Sequence, residues 1–73
     1  MVDKKEIEEL SQRMFNATFM GNFNPDKVTS ATGVGSGTVI MIQSGNPFVS
    51  YDDYIKVKEY VDSYYKRRKK LQK

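Results

Sequence analysis

The side chains able to do chemistry in this 73-residue chain are few and of a narrow kind. There is no Cys and no His, which removes thiolate nucleophiles, disulfides and the usual zinc ligands. Asp52 and Asp53 are adjacent carboxylates. At a helix start they read as dipole-favoured caps, not as an acid–base pair. Glu8 and Glu9 fall on the outer face of an amphipathic segment. Gly33, Gly35 and Gly37 spell GxGxG rather than GxGxxG, and no P-loop lysine follows. The chain is therefore expected to be no enzyme, with no cofactor and no metal. What remains is the chemistry of contact. A basic run holds Lys66, Arg67, Arg68, Lys69, Lys70 and Lys73, and the stretch NPDKVTSATGVGSGTVIMIQSG runs from Asn24 to Gly45.

Charge is unevenly spread. The total is +3, from 12 basic and 9 acidic residues. Residues 1–24 carry three basic and four acidic groups, residues 25–50 one of each, and residues 51–73 eight basic and four acidic. Nearly all of the excess thus sits at the C-terminal end, where it favours an anionic partner such as a phosphate backbone. The plain alternative weighs equally: Lys and Arg also complement the negative end of a helix dipole.

These groups need elements to hold them. Asn24 can cap a helix and Pro25 suits its first position, with Phe23 and Val28 spaced as a hydrophobic staple. The spacing predicts a helix over 25–32, ended by Gly33, which can take a positive φ. Val34 is the apolar residue of the turn, placed to plug the angle between two helices. A second helix opens at Gly35 or Ser36 and ends near Ser44 and Gly45. Val39 and Ile42 share its inner face, and Val28, Val34, Val39 and Ile42 form a small wedge. Its opposite face shows Ser36, Gly37, Ile40, Met41 and Gln43. The unit is a helix-turn-helix shaped for a groove. The competing reading makes Thr38–Ile42, rich in β-branched residues, a strand beside a glycine hairpin. It suffers from the lack of a comparable partner run.

On either side the pattern is helical. Ile7, Leu10, Met14 and Ala17 recur at three- and four-residue steps within a helix expected over Met1–Met20, with Asp3 and Glu6 at capping-box spacing and Phe15 and Phe19 flanking the stripe. Gly21 and Asn22 break it. After Pro47, Phe48 is expected to anchor the core, with contact to a DNA backbone as its other reading. Ser50 caps a last helix with Asp53 three residues on, and Val49 is placed to staple to Tyr54. That helix starts near Tyr51 and can reach Lys70, its stripe made of Tyr54, Val57, Val61 and Tyr64, widened by Ile55 and Tyr65. Tyr51, Tyr60, Tyr64 and Tyr65 offer either plain amphipathic packing or a subunit contact. No apolar run approaches a membrane helix and MVDKKEIEEL is too charged for a signal peptide. The expected protein is soluble, without a membrane partner, in the cytoplasm.

The run Val28-Thr29-Ser30-Ala31-Thr32-Gly33-Val34-Gly35-Ser36-Gly37-Thr38-Val39-Ile40-Met41-Ile42-Gln43-Ser44-Gly45 resembles the helix-turn-helix of the lambda-repressor-like, Cro- and Xre-type proteins. The stretch from Asn46-Pro47 to Val61, with SYDDYIKVKEYV, extends the resemblance over roughly residues 5 to 62. It implies an all-α, small four-helix helix-turn-helix domain over 1–65, its unit at 24–45, continued here by a long basic C-terminal helix or tail at 66–73. It implies a sequence-specific, DNA-binding transcriptional regulator of prokaryotic or phage type, a homodimer on double-stranded DNA in the nucleoid, with helix 36–44 in the major groove. Position for position, Ser36, Gly37, Ile40 and Met41 would face bases. The N–H groups near Gly35, with Lys27, Thr38, Ser44 and Asn46, would meet phosphates, joined by Lys66, Arg67, Arg68, Lys69 and Lys70 of the tail. The chain departs from the pattern. Family members commonly place Gln, Arg or Asn on this helix, where only Gln43 offers a bidentate amide. Pro25 stands where a phosphate-bonding Gln is frequent, and the usual fifth helix is missing. Two alternatives follow: an interaction module that uses Ile40 and Met41 to bind a repressor, recombinase or host factor, or an accessory DNA-architectural factor of a mobile element.

Overall fold

The computed structural model describes residues 1–71, with side chains through Arg67. It folds as α1 (Lys4–Met20), α2 (Pro25–Thr32), α3 (Ser36–Gln43) and α4 (Tyr51–Leu71). The described residues contain no strand. Thr38–Ile42 lies inside α3, so the strand alternative is not realised: with no second edge to pair with, these residues close their hydrogen bonds along the helix.

Local chemistry sets most boundaries. The Asn24 side chain accepts from the Lys27 N–H at 2.9 Å, with Pro25 in the first turn. Gly33 ends α2 in the left-handed region at φ 78° and donates its N–H to the Thr29 carbonyl at 2.9 Å. Gly21 (φ 95°) and Asn22 (φ 58°) turn the chain out of α1. Ser50 caps α4, its Oγ accepting from the Asp53 N–H at 3.1 Å. The capping box expected at Asp3 and Glu6 does not form. Asp3 occupies the N-cap position but its side chain accepts no capping bond. Entry into α1 is fixed instead by Val2, which is fully buried and donates its N–H to the Pro47 carbonyl at 3.0 Å.

The helices bury one common core. Ile7, Leu10, Met14 and Ala17 of α1 meet Val28 of α2, Val39 and Ile42 of α3, and Tyr54, Val57, Val61 and Tyr64 of α4. α1 packs on α3 and α4, and α2 packs on the same two. Fully burying a Val, Leu or Ile is worth roughly 1.5–3 kcal/mol, so this shared cluster supplies the main restraint on the short α2 and α3. The Phe23 ring lies tilted against those of Tyr60 and Tyr64, at centroid distances of 5.8 and 5.2 Å. Phe48 overturns its expectation as a core anchor: it is 72% exposed. Its neighbours Pro47 and Val49 take up the inward contacts, Pro47 through its bond to Val2 and Val49 by burial. Phe15 and Phe19 also face outward, edge to face at 4.9 Å. No described helix is long and apolar enough to cross a membrane.

Candidate nucleic-acid interface

The surface that matters is built on α2, the turn and α3. Val28, Val39 and Ile42 are completely buried and Val34 is 3% exposed, and α2 packs on α3 across the turn. Thr32 reinforces the bend. Its hydroxyl donates to the Val28 carbonyl at 2.7 Å and accepts the Val34 N–H at 3.1 Å. The far end of α3 is held by α1, where the Ser11 hydroxyl donates to the Gln43 carbonyl at 2.6 Å. α3 is thus pinned at both ends while one side stays open.

Ser36, Gly37 and Ile40 occupy that open side, with Ile40 53% exposed. Met41 is only half exposed and packs against the core edge. The first backbone bond closed within α3 is from the Val39 N–H to the Gly35 carbonyl at 3.0 Å. Gly35, the N-cap, provides no side-chain cap. The N–H groups of Ser36, Gly37 and Thr38 therefore have no partner within the helix and stand at the positive end of its dipole. Such an end is suited to an anion.

The expected phosphate residues do not all stand together. Lys27 is exposed on α2. A shallow groove of about 520 Å³ between α2 and α4 brings it together with Arg67 of the basic run, beside Asn24, Ser30 and Tyr60. Asp26 lines the same groove and tempers its charge. Thr38 is half-buried. Ser44 is exposed, but its hydroxyl donates to the Ile40 carbonyl at 2.9 Å. Asn46 is half-buried, and its Oδ1 accepts the Phe48 N–H at 2.9 Å. Lys66 is exposed, while the side chains of Arg68, Lys69 and Lys70 lie outside the described residues. Gln43, the one long amide of α3, is half-buried with its Oε1 enclosed and without a protein partner.

No family model, curated protein or solved structure matches this chain. What it offers a partner is written in its own surface.

Two residues escape notice in the sequence. Thr32 resembles any mid-polarity helix residue, although a hydroxyl one place before a C-terminal glycine is a local turn signal. Arg13 is withdrawn from the basic surface by Asp62, at 2.5 Å, and by stacking on the Tyr65 ring at 5.2 Å. Only the packing of α1 on α4 reveals that pair.

Proposed function

We propose that this chain is a DNA-binding regulator of helix-turn-helix type that lays α3 in the major groove of double-stranded DNA. The observation that carries the reading is the exposed, uncapped start of α3, with Ser36, Gly37 and Ile40 outward, above a fully buried Val28–Val34–Val39–Ile42 wedge. The small Ser36 and Gly37 allow close approach of backbone to DNA. Ile40 offers methyl groups to thymine methyls. Lys27 and Arg67 flank α2 on its α4 side, where they can meet phosphates without reading sequence. With so few base-reading side chains, discrimination rests on methyl contacts and DNA shape, and a second subunit would double the readout.

The test is a fluorescence titration of labelled random duplex at two salt concentrations. Binding that weakens steeply as salt rises supports the reading. Absence of binding at low salt removes it.

A second reading is favoured by one observation. The open side of α3 is apolar at Ile40 rather than lined with Arg, Asn or Gln, which also suits a protein partner. Ile40→Ser with Met41→Ser separates the two: a lost protein partner with DNA binding intact supports the interaction module.

A further inference from the structure

The end of the molecule away from the basic run has a distinct surface. Phe48 is 72% exposed, Tyr51 53% and Met1 82%. The backbone brings them to one end of the molecule. Val2 is bonded to Pro47, which fixes Met1 beside the loop that carries Phe48, and Tyr51 opens α4 with its ring 5.9 Å from that of Tyr54. An apolar cluster of this kind on a small domain marks a contact surface.

Its surroundings are acidic. Asp3, Glu6, Glu8, Glu9, Asp52 and Asp53 lie within residues 1–10 and 47–54, against Lys4, Lys5 and the Met1 amino group. Glu6 and Glu9 stand close enough to the Tyr54 phenol to add to the rise in its pKa that burial causes first. The occupant that fits is basic with an apolar residue, and this sequence contains one. Lys66-Arg67-Arg68-Lys69-Lys70-Leu71 has five positive charges, no acid and a leucine. It cannot come from the same chain. α4 is continuous from Tyr51 to Leu71, so the run is carried about 22–30 Å away at 1.5 Å per residue.

We propose that the Met1–Phe48–Tyr51 face docks the basic C-terminal segment of a second copy. The contact is head to tail, so its two sides are different surfaces. Two chains lying antiparallel satisfy it twice and close as a pair, each tail on the other's head, and a rotation that does not close adds copies into a linear array. The attraction between an acidic head and a basic tail is screened by salt. The inference does not rest on DNA binding, because association needs only the protein.

Sedimentation velocity on the full chain, from micromolar to millimolar and at low and high salt, reads it directly. The expected result is a mass above the monomer at low salt that falls to the 8.4 kDa monomer at high salt. Two variants give the decisive arm. Phe48→Ser with Tyr51→Ser spoils the head; both side chains are exposed, so the fold is spared, and circular dichroism checks it. Arg68→Glu, Lys69→Glu and Lys70→Glu together spoil the tail. Each variant alone is expected to stay monomeric. Their mixture is expected to form a one-to-one dimer and nothing larger, because one intact head meets one intact tail. A wild-type chain that remains monomeric throughout overturns the proposal. So does an association that survives the tail substitutions, and so does a mixture that fails to pair.

Discussion

The Ser11 hydroxyl donates to the Gln43 carbonyl at 2.6 Å across 32 positions of sequence. It takes one of the last carbonyls of α3, which have no partner within the helix, and ties that end to α1. Gly45, at φ 80°, passes the same side chain, and a Cβ there would sit 3.9 Å from the Ser11 Oγ. The orientation of α3 is thus set by the long helix behind it as well as by its own turn. Ser11→Ala is expected to cost about 1 kcal/mol, the usual net worth of such a bond. Chemical denaturation measures the loss, and hydrogen exchange should place the faster opening at Ser44–Asn46, with α2 unaffected.

Gly33 governs the bend between α2 and α3. Its φ of 78° is strained for an L side chain, yet no atom lies within 4 Å of a Cβ built there. Gly33→Ala is therefore expected to destabilise through the backbone alone, by about 1–2 kcal/mol. Gly35→Ser is the control. At φ −58° and as N-cap of α3, serine there is tolerated and gains a few tenths of a kcal/mol from capping. Equal melting shifts for the two variants would contradict this account of the turn.

Tyr64 closes the opposite end of α1. Its hydroxyl donates towards the carbonyls of Ala17 and Gly21, in a last turn with no basic side chain to complement the dipole. Tyr64→Phe keeps the ring against Phe23 and removes the hydroxyl. The expected cost is about 1–2 kcal/mol, read as a lower urea midpoint. Tyr51→Phe, at an exposed position, should leave that midpoint unchanged.

Tyr54 and Tyr65 give the fold an alkaline limit. Burial raises both phenol pKa values above the ordinary 10.0; Glu6, Tyr51 and Glu9 add to the rise at Tyr54, while Arg13 opposes it at Tyr65. A pKa raised in the folded state means that the unfolded chain loses its proton first. The contribution is whole below pH 10.0 and disappears as pH climbs through the raised values. Urea midpoints are expected to be flat on the near side of that pH and to fall beyond it. Tyr54→Phe should flatten the fall; a slope unchanged by it would assign the limit elsewhere.

Lys27 and Arg67 share the groove between α2 and α4. If both meet phosphates, Lys27→Ala and Arg67→Ala should each weaken binding evenly across DNA sequences and lower the salt slope by about 1. Ile40→Ser should instead alter preference among sequences and leave the slope as it was. Duplex titrations over a salt series distinguish the two patterns.

Much of this fold was legible from short-range chemistry. Asn24, Pro25 and Gly33 delimit α2, and the steps from Ile7 to Ala17 and from Tyr54 to Tyr64 mark the buried stripes, because capping, φ preference and helical periodicity act within a turn or two of the chain. The open face of α3 at Ser36, Gly37 and Ile40 was legible for the same reason. Tertiary structure decided the rest. Phe48 is as apolar as Val49, and only the pinning of Pro47 by Val2 determines which of the two goes in. Asp3 had the spacing of a cap, yet the buried side chain beside it set how the helix begins. Arg13 against Asp62 and Lys27 beside Arg67 are pairs made by one helix lying on another. Their partners are 49 and 40 positions apart in the chain, beyond the reach of any local rule.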